Sequence, residues 1–168
     1  MKRFKVALRR THDRAVLPSR ALEGDVGYDL CSVQHGRIDP GETVAIDTGW
    51  QFAGGSTVRH QKHSCDYIDG KANEFFVKVE ARSGLALKSV FPVGGIIDLG
   101  YRGQLNVLLY NGRYDKPYDV CVGDRIGQLV FYRISGDDRP EWETAFTETD
   151  REPEPTARGS SGFGSTGQ

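Results

Sequence analysis

Long hydrophobic runs are missing from this chain of 168 residues. None approaches the roughly 20 apolar residues that a membrane-spanning helix needs, so a soluble protein with no membrane partner is expected. The first ten residues carry Lys2, Arg3, Lys5, Arg9 and Arg10 but no apolar core of the kind that makes a secretory signal. An excess of one charge is also missing. Lys and Arg number 22 against 23 Asp and Glu, a formal net charge of −1. That balance argues against a nucleic-acid coat or a membrane-surface protein. Cysteine is scarce. Cys31, Cys65 and Cys121 are odd in number and far apart, which suits reduced thiols in the cytoplasm or nucleus and not a disulfide framework or a secreted protein. No stretch of twelve residues keeps a 3.6-residue period, and the best helical candidate is the short run 85–88. A Walker A loop is absent too, because no Lys follows the glycines near the C-terminus.

What the chain does have is strand alternation and glycine. Phe4, Val6 and Leu8 alternate with Lys5, Ala7 and Arg9. Val44 and Ile46 share a face after a Pro40-Gly41 turn, and Phe75, Val77 and Val79 alternate with Phe76, Lys78 and Glu80. The runs 104–111 and 125–134 are rich in Val, Leu, Ile, Phe and Tyr. Short strands broken by turn residues predict an all-β sandwich or barrel in one domain. The 21 glycines point to many turns and close backbone approaches. The domain is expected over 1–146, with a polar, turn-rich loop at about 54–73. Over 147–155 an acidic stretch with two prolines predicts an extended arm, which would carry the tail away from its own barrel.

Five clusters carry candidate chemistry. The tail 157–168 combines Arg158, Phe163, Ser165, Thr166 and four glycines including Gly164. Glycines offer bare N–H groups to an anion, hydroxyls and a guanidinium bind phosphate oxygens, and an aromatic ring stacks on a base. The tail therefore reads as a nucleotide lid, although the same composition suits a solvated terminus. In 24–30, Asp25 and Asp29 stand among glycines at a strand entrance, where they orient metal-bound water or form turns. Arg82, Ser83 and Gly84 lie where a strand meets the short helix, which suits phosphate or a capping serine. In 94–103, a hairpin between two strands exposes backbone around Gly95 and Ile97. It carries Asp98 as a candidate general base and Tyr101 as a surface for a sugar. Gln128 opens the last long strand and faces phosphate or metal-bound water, or else is an edge-strand amide.

The order and content of these clusters closely resemble the trimeric deoxyuridine triphosphatases. Their five motifs read here as 24–32, 81–88, 94–111, 123–130 and 158–167. The runs Arg82-Ser83-Gly84-Leu85-Ala86, Ile97-Asp98 followed by Tyr101-Arg102-Gly103, and Gly162-Phe163-Gly164-Ser165-Thr166-Gly167 carry the likeness. The resemblance implies a jelly-roll-like β-barrel, a homotrimer with shared active sites, and Mg²⁺-assisted hydrolysis of dUTP to dUMP and pyrophosphate. It implies that Asp98 binds the deoxyribose 3′-hydroxyl and activates water, and that Tyr101 excludes a 2′-hydroxyl. Backbone from Gly95 to Asp98, including Ile97, would read uracil. Arg82, Ser83, Gly84 and Gln128 would hold the phosphates, and Asp29 would touch magnesium through water. Phe163 and Gly164 would cover the base, while Arg158, Ser165 and Thr166 would grip the γ-phosphate.

Gly100 stands where many members carry Asp or Asn, and Gly127 replaces a common Ala. The segment 54–73 is the larger departure. Its His60, His63 and Cys65 raise zinc, but the spacing is short and no fourth ligand is near, so a surface loop is expected, with a protein partner as a second reading. Two rival functions remain at this stage: a dCTP deaminase of the same fold, and a nucleotide-binding regulator without turnover.

Overall fold

The computed structural model describes residues 2–58, 75–98, 100–133, 142–153, 155–156 and 159–160. Eleven strands and one short helix occur among them, and no described helix is long and apolar enough to cross a membrane. Five strands form one sheet in the order β11-β1-β4-β8-β6. These are β1 (Lys2–Arg10), β4 (Thr43–Val58), β6 (Val90–Val93), β8 (Gln104–Asn111) and β11 (Trp142–Glu148). A second sheet has the order β2-β10-β5-β7, from β2 (Tyr28–Cys31), β5 (Phe75–Glu80), β7 (Ile96–Ile97) and β10 (Arg125–Arg133). The pair β3 (Gly36–Ile38) and β9 (Tyr118–Val120) forms a third.

Alternation explains the layering. In β8, Leu105, Val107, Leu109 and Asn111 are buried while the intervening residues are only half-buried. Val6 and Leu8 of β1, Val77 and Val79 of β5 and Leu129 of β10 join them in one core. Each such fully buried apolar side chain contributes about 1.5–3 kcal/mol. Asn111 is wholly buried but satisfied: its Nδ2 donates to Ile38 O at 2.9 Å and to Lys116 O at 3.1 Å, and its Oδ1 accepts from Arg113 N at 3.1 Å.

Three features differ from the sequence expectation. The strand before the insertion does not stop at Phe52. β4 continues to Val58, where Gly54 to Val58 pair with Ala7 to Arg3 of β1. A register shift between Ala7 and Leu8 makes Ala53 the extra residue, and the polar composition hid the strand because backbone pairing does not need apolar side chains. Residues 59–73 of the expected loop, with His60, His63 and Cys65, lie outside the described residues. The arm also begins later than 147, since β11 runs to Glu148 and pairs in parallel with β1. Arg10 Nε donates to Glu148 Oε1 at 2.6 Å and holds that end. Finally, 94–103 is not a simple hairpin. β6 pairs with β8, whereas β7 between them crosses to pair with β5 in the other sheet.

Candidate functional site

The strand β10 carries Gln128 in the middle of its sheet, opposite Asp29 of β2 on one side and Glu80 of β5 on the other. Gln128 is therefore not an edge-strand amide. Register places Asp29 and Gln128 on one face, and the chain leaving β5 brings Arg82 and Ser83 beside them. Together with Ala21, Asp25, Val26 and Gly27 they line a polar cleft of ≈ 270 Å³.

Within the cleft the two carboxylates of the 24–30 segment divide their work. Asp25 Oδ2 accepts from Leu22 N at 2.9 Å, so Asp25 is a turn former. Asp29 faces cations: Arg82 Nε stands 2.8 Å from its Oδ1, and Arg125 Nη1 donates to its Oδ2 at 3.1 Å. Gln128 Nε2 donates to Ala81 O at 2.8 Å, which fixes the amide against the end of β5. A Cβ on Gly27 would stand 1.9 Å from Gln128 Oε1, so only glycine leaves room for that side chain.

The helix α1 (Ser83–Ala86) starts from Arg82, an extended residue with φ −90° and ψ 136° and no side-chain cap. Ser83 is thus the first helical residue and not an N-cap. Intrahelical bonding begins with Leu85 N donating to Arg82 O at 3.0 Å, ahead of which come the amides of Ser83 and Gly84. A Cβ on Gly84 would meet no protein atom within 4 Å. Nothing within the described chain demands glycine there, whereas a ligand approaching the backbone would.

None of the described 94–103 residues lines the cleft. Gly94 has φ +62° and turns the chain out of β6. Gly95 then packs onto β5: Val79 N donates to Gly95 O at 2.8 Å, and a Cβ on Gly95 would fall 2.3 Å from Val79 O. Ile96 and Asp98 are exposed, and Asp98 O accepts from Tyr101 N at 2.9 Å. Tyr101 is buried, with its hydroxyl donating to Gln104 O at 2.9 Å and its ring against Gly103, where a Cβ would come 2.3 Å from the hydroxyl. The turn thus presents Asp98 beside a ring that cannot swing away. Ile97 pairs with Val77, which ties the segment to the sheet that also carries Gln128.

The root of the tail reaches this same segment. Thr156 Oγ1 donates to Gly100 O, Gly159 N donates to Thr156 Oγ1 at 2.9 Å, and Arg102 N donates to Gly159 O at 2.7 Å. The root of the arm, at Thr156 and Gly159, therefore rests on its own chain. Arg158, Phe163, Gly164, Ser165 and Thr166 lie outside the described residues.

Arg125 is a site-wall residue that the sequence reading assigned no role, and strand alternation explains why. Residues 125 and 128 should point to opposite faces. A register shift between Arg125 and Gly127 leaves Ile126 as a bulge, with both Ile126 and Gly127 buried, and this turns Arg125 onto the face of Asp29. Beside it, burial first and the Asp29 charge second raise the Cys31 thiol above its ordinary value, so it stays protonated at neutral pH. On β5 opposite Gln128, but outside the cleft lining, Lys78 and the Tyr132 hydroxyl hold the Glu80 carboxyl below its usual range. No group of three His, Cys, Asp or Glu suited to a metal occurs among the described residues.

The dUTPase family model matches residues 77–167. The deoxyuridine 5′-triphosphate nucleotidohydrolase of Mus musculus is 37% identical over 160 residues, covering 95% of this chain and 83% of the mouse protein. The same-named protein of Fowlpox virus is 35% identical over 164 residues, covering 97% of each. A relative of that name from Dictyostelium discoideum, called mitochondrial, is 36% identical over 167 residues, covering 98% of this chain and 76% of its own length. Among solved structures, the dUTPase of Staphylococcus bacteriophage 80alpha with dUPNHPP aligns with a TM-score of 0.62 at 21% identity, over 97% of this chain and 98% of that one. A dUTPase from phage phi11 of S. aureus, described with a structural Mg(II) ion, aligns with a TM-score of 0.60 at 20% identity, over 81% of this chain and 95% of that one. At those identities the structures share the fold.

Proposed function

Since the chain belongs to the dUTPase family, we propose that it hydrolyses dUTP to dUMP and pyrophosphate, at sites built from the cleft of one subunit and the 94–103 segment of another. The observation that carries this reading is the separation of the two halves. Phosphate-type groups, Arg82, Ser83, Gly84 and Gln128, gather in the cleft, while the base and sugar groups, Gly95, Ile97, Asp98 and Tyr101, stand elsewhere on the same chain. A homotrimer joins them, with dUTP bound across the interface. Closed rings of identical subunits place unlike surfaces of neighbours together, as this arrangement requires.

In this site Arg82, Ser83 and the backbone at Gly84 hold the phosphate chain, with Ser83 near the bridging oxygen that leaves. Gln128 orients phosphate and ordered water. Backbone from Gly95 to Asp98 reads the uracil edge, and Tyr101, fixed by Gln104 and Gly103, occupies the space of a ribose 2′-hydroxyl. Asp98 accepts the proton of a water attacking the α-phosphorus in line, and pyrophosphate leaves. Positioning and charge neutralisation supply most of the rate. The tail residues Arg158, Phe163, Gly164, Ser165 and Thr166 close over the nucleotide, with the root at Thr156 and Gly159 already beside the base segment.

The donor set fits Mg²⁺ carried by the triphosphate and not a protein cage. No acidic cluster exists among the described residues, and Asp29 engages arginines through both oxygens. Asp29 and Gln128 would hold the ion through water, which suits a cation that keeps its hydration shell. When bound, the metal neutralises phosphate charge. An intracellular compartment suits the reading, and the mitochondrial relative adds a further one to cytoplasm and nucleus.

Pyrophosphate release from dUTP, dTTP, dCTP and UTP tests the proposal. Strong preference for dUTP is expected, and Asp98→Asn should cut turnover by about 10²- to 10⁴-fold while nucleotide binding persists. Near-normal turnover in that variant would remove Asp98 as the base, and equal rates on all four nucleotides would remove the substrate assignment.

A further inference from the structure

Arg125 takes no part in the mechanism above, yet it holds half of Asp29. The carboxylate is divided between two guanidiniums, one oxygen to each: Arg82 at 2.8 Å and Arg125 at 3.1 Å. The Asp29 side chain is only 16% exposed and that of Arg125 is 52% exposed, so Arg125 reaches into the cleft wall from the solvent side. It does so because of the bulge at Ile126, a local departure from regular pairing in the strand that also bears Gln128. Bulges beside sites commonly re-aim a side chain.

The division matters for Arg82. A carboxylate facing a single guanidinium favours the two-pronged, fork-to-fork pair, and that geometry uses the same planar donors that phosphate oxygens take. Here Arg82 meets Asp29 through its inner nitrogen, Nε. With the other oxygen engaged by Arg125, the carboxylate is anchored away from a fork-to-fork pair with Arg82. We infer that Arg125 is a positioning residue for triphosphate binding: it tethers Asp29 so that the terminal nitrogens of Arg82 remain available to phosphate. The inference rests on the phosphate role proposed for the cleft. It assigns Arg125 an effect through Asp29, distinct from a direct contact with substrate.

The test uses the full-length protein and calorimetric binding of the non-hydrolysable imido analogue of dUTP, with dUMP as the comparison ligand. Arg125→Gln should weaken analogue binding by about tenfold, the scale of one charge-assisted hydrogen bond at a half-exposed site. Binding of dUMP and thermal stability should change little. In an Asp29→Asn background the same substitution should change analogue binding by less than about twofold, because the group it acts through is gone. Arg125→Lys, which keeps the charge, should restore part of the affinity. An equal loss in the Asp29→Asn background would mean that Arg125 touches phosphate directly, and the inference would fall. A parallel loss of dUMP binding and thermal stability would overturn it as well, by showing a merely structural role. Normal analogue binding in Arg125→Gln would sink this inference alone. Normal binding in Arg82→Gln would sink the phosphate reading of the cleft, and the role of Arg125 with it.

Discussion

Gly95 and Asp98 lie three residues apart and depend on opposite properties. Asp98 is exposed at the turn, where it can meet a ligand, while Gly95 is pressed against the backbone of β5. A methyl group at 95 would sit 2.3 Å from Val79 O, a backbone atom that cannot rotate aside. Gly95→Ala should therefore lower stability by about 1–3 kcal/mol through overpacking. It should also loosen the Asp98 turn, so a urea titration should show a lower midpoint and dUMP should bind more weakly. An unchanged midpoint would mean that the close approach is dispensable. The sequence read the backbone at Gly95 as exposed, whereas it is pressed against Val79; it read Asp98 as a candidate base, and Asp98 is exposed. The division between Asp25 and Asp29 was not legible, because identical side chains four residues apart differ only in what surrounds them. Arg125 was hidden by a bulge, which reverses the parity that sequence reading relies on.

Strands β1, β5 and β8 could be read from alternation because one face of each meets the core and the other does not. The crossing of β7 between sheets could not, since two residues carry no period. The same limit hid 54–58, whose pairing with β1 is a property of backbone and register. The short helix was placed two residues late because no capping side chain marks its start. The tail shows what composition can and cannot tell. Its residue types pointed to phosphate and a base, but the hydrogen bonds that seat Thr156 and Gly159 beside residues 100–102 were invisible until the fold was known. Removing 157–168 should leave dUMP binding within about threefold while turnover collapses, because in the proposed site the tail positions the α-phosphorus and the 94–103 segment stays intact. Calorimetry with dUMP beside a pyrophosphate assay checks both halves. A tail-less protein with unchanged turnover would refute the lid.

The whole molecule has an unfinished look when taken one chain at a time. Among the described residues, the cleft proposed for phosphate is lined by none of the 94–103 residues proposed to read the base. The all-β class followed from composition and alternation, and the family followed from motif order. Shared sites were implied only by the family resemblance; the residues alone could not show which motifs share a wall, because linear order says nothing about it. The most direct test is complementation between two inactive proteins. One carries Asp98→Asn and keeps its cleft; the other carries Arg82→Gln with Ser83→Ala and keeps its base segment. Co-refolded in equal amounts, with mixed assemblies verified by native mass spectrometry, they should recover roughly a quarter of wild-type dUTP hydrolysis, the fraction of sites that pair an intact cleft with an intact segment at random. Activity no greater than that of the two parents, in verified mixed trimers, would contradict a site shared between subunits.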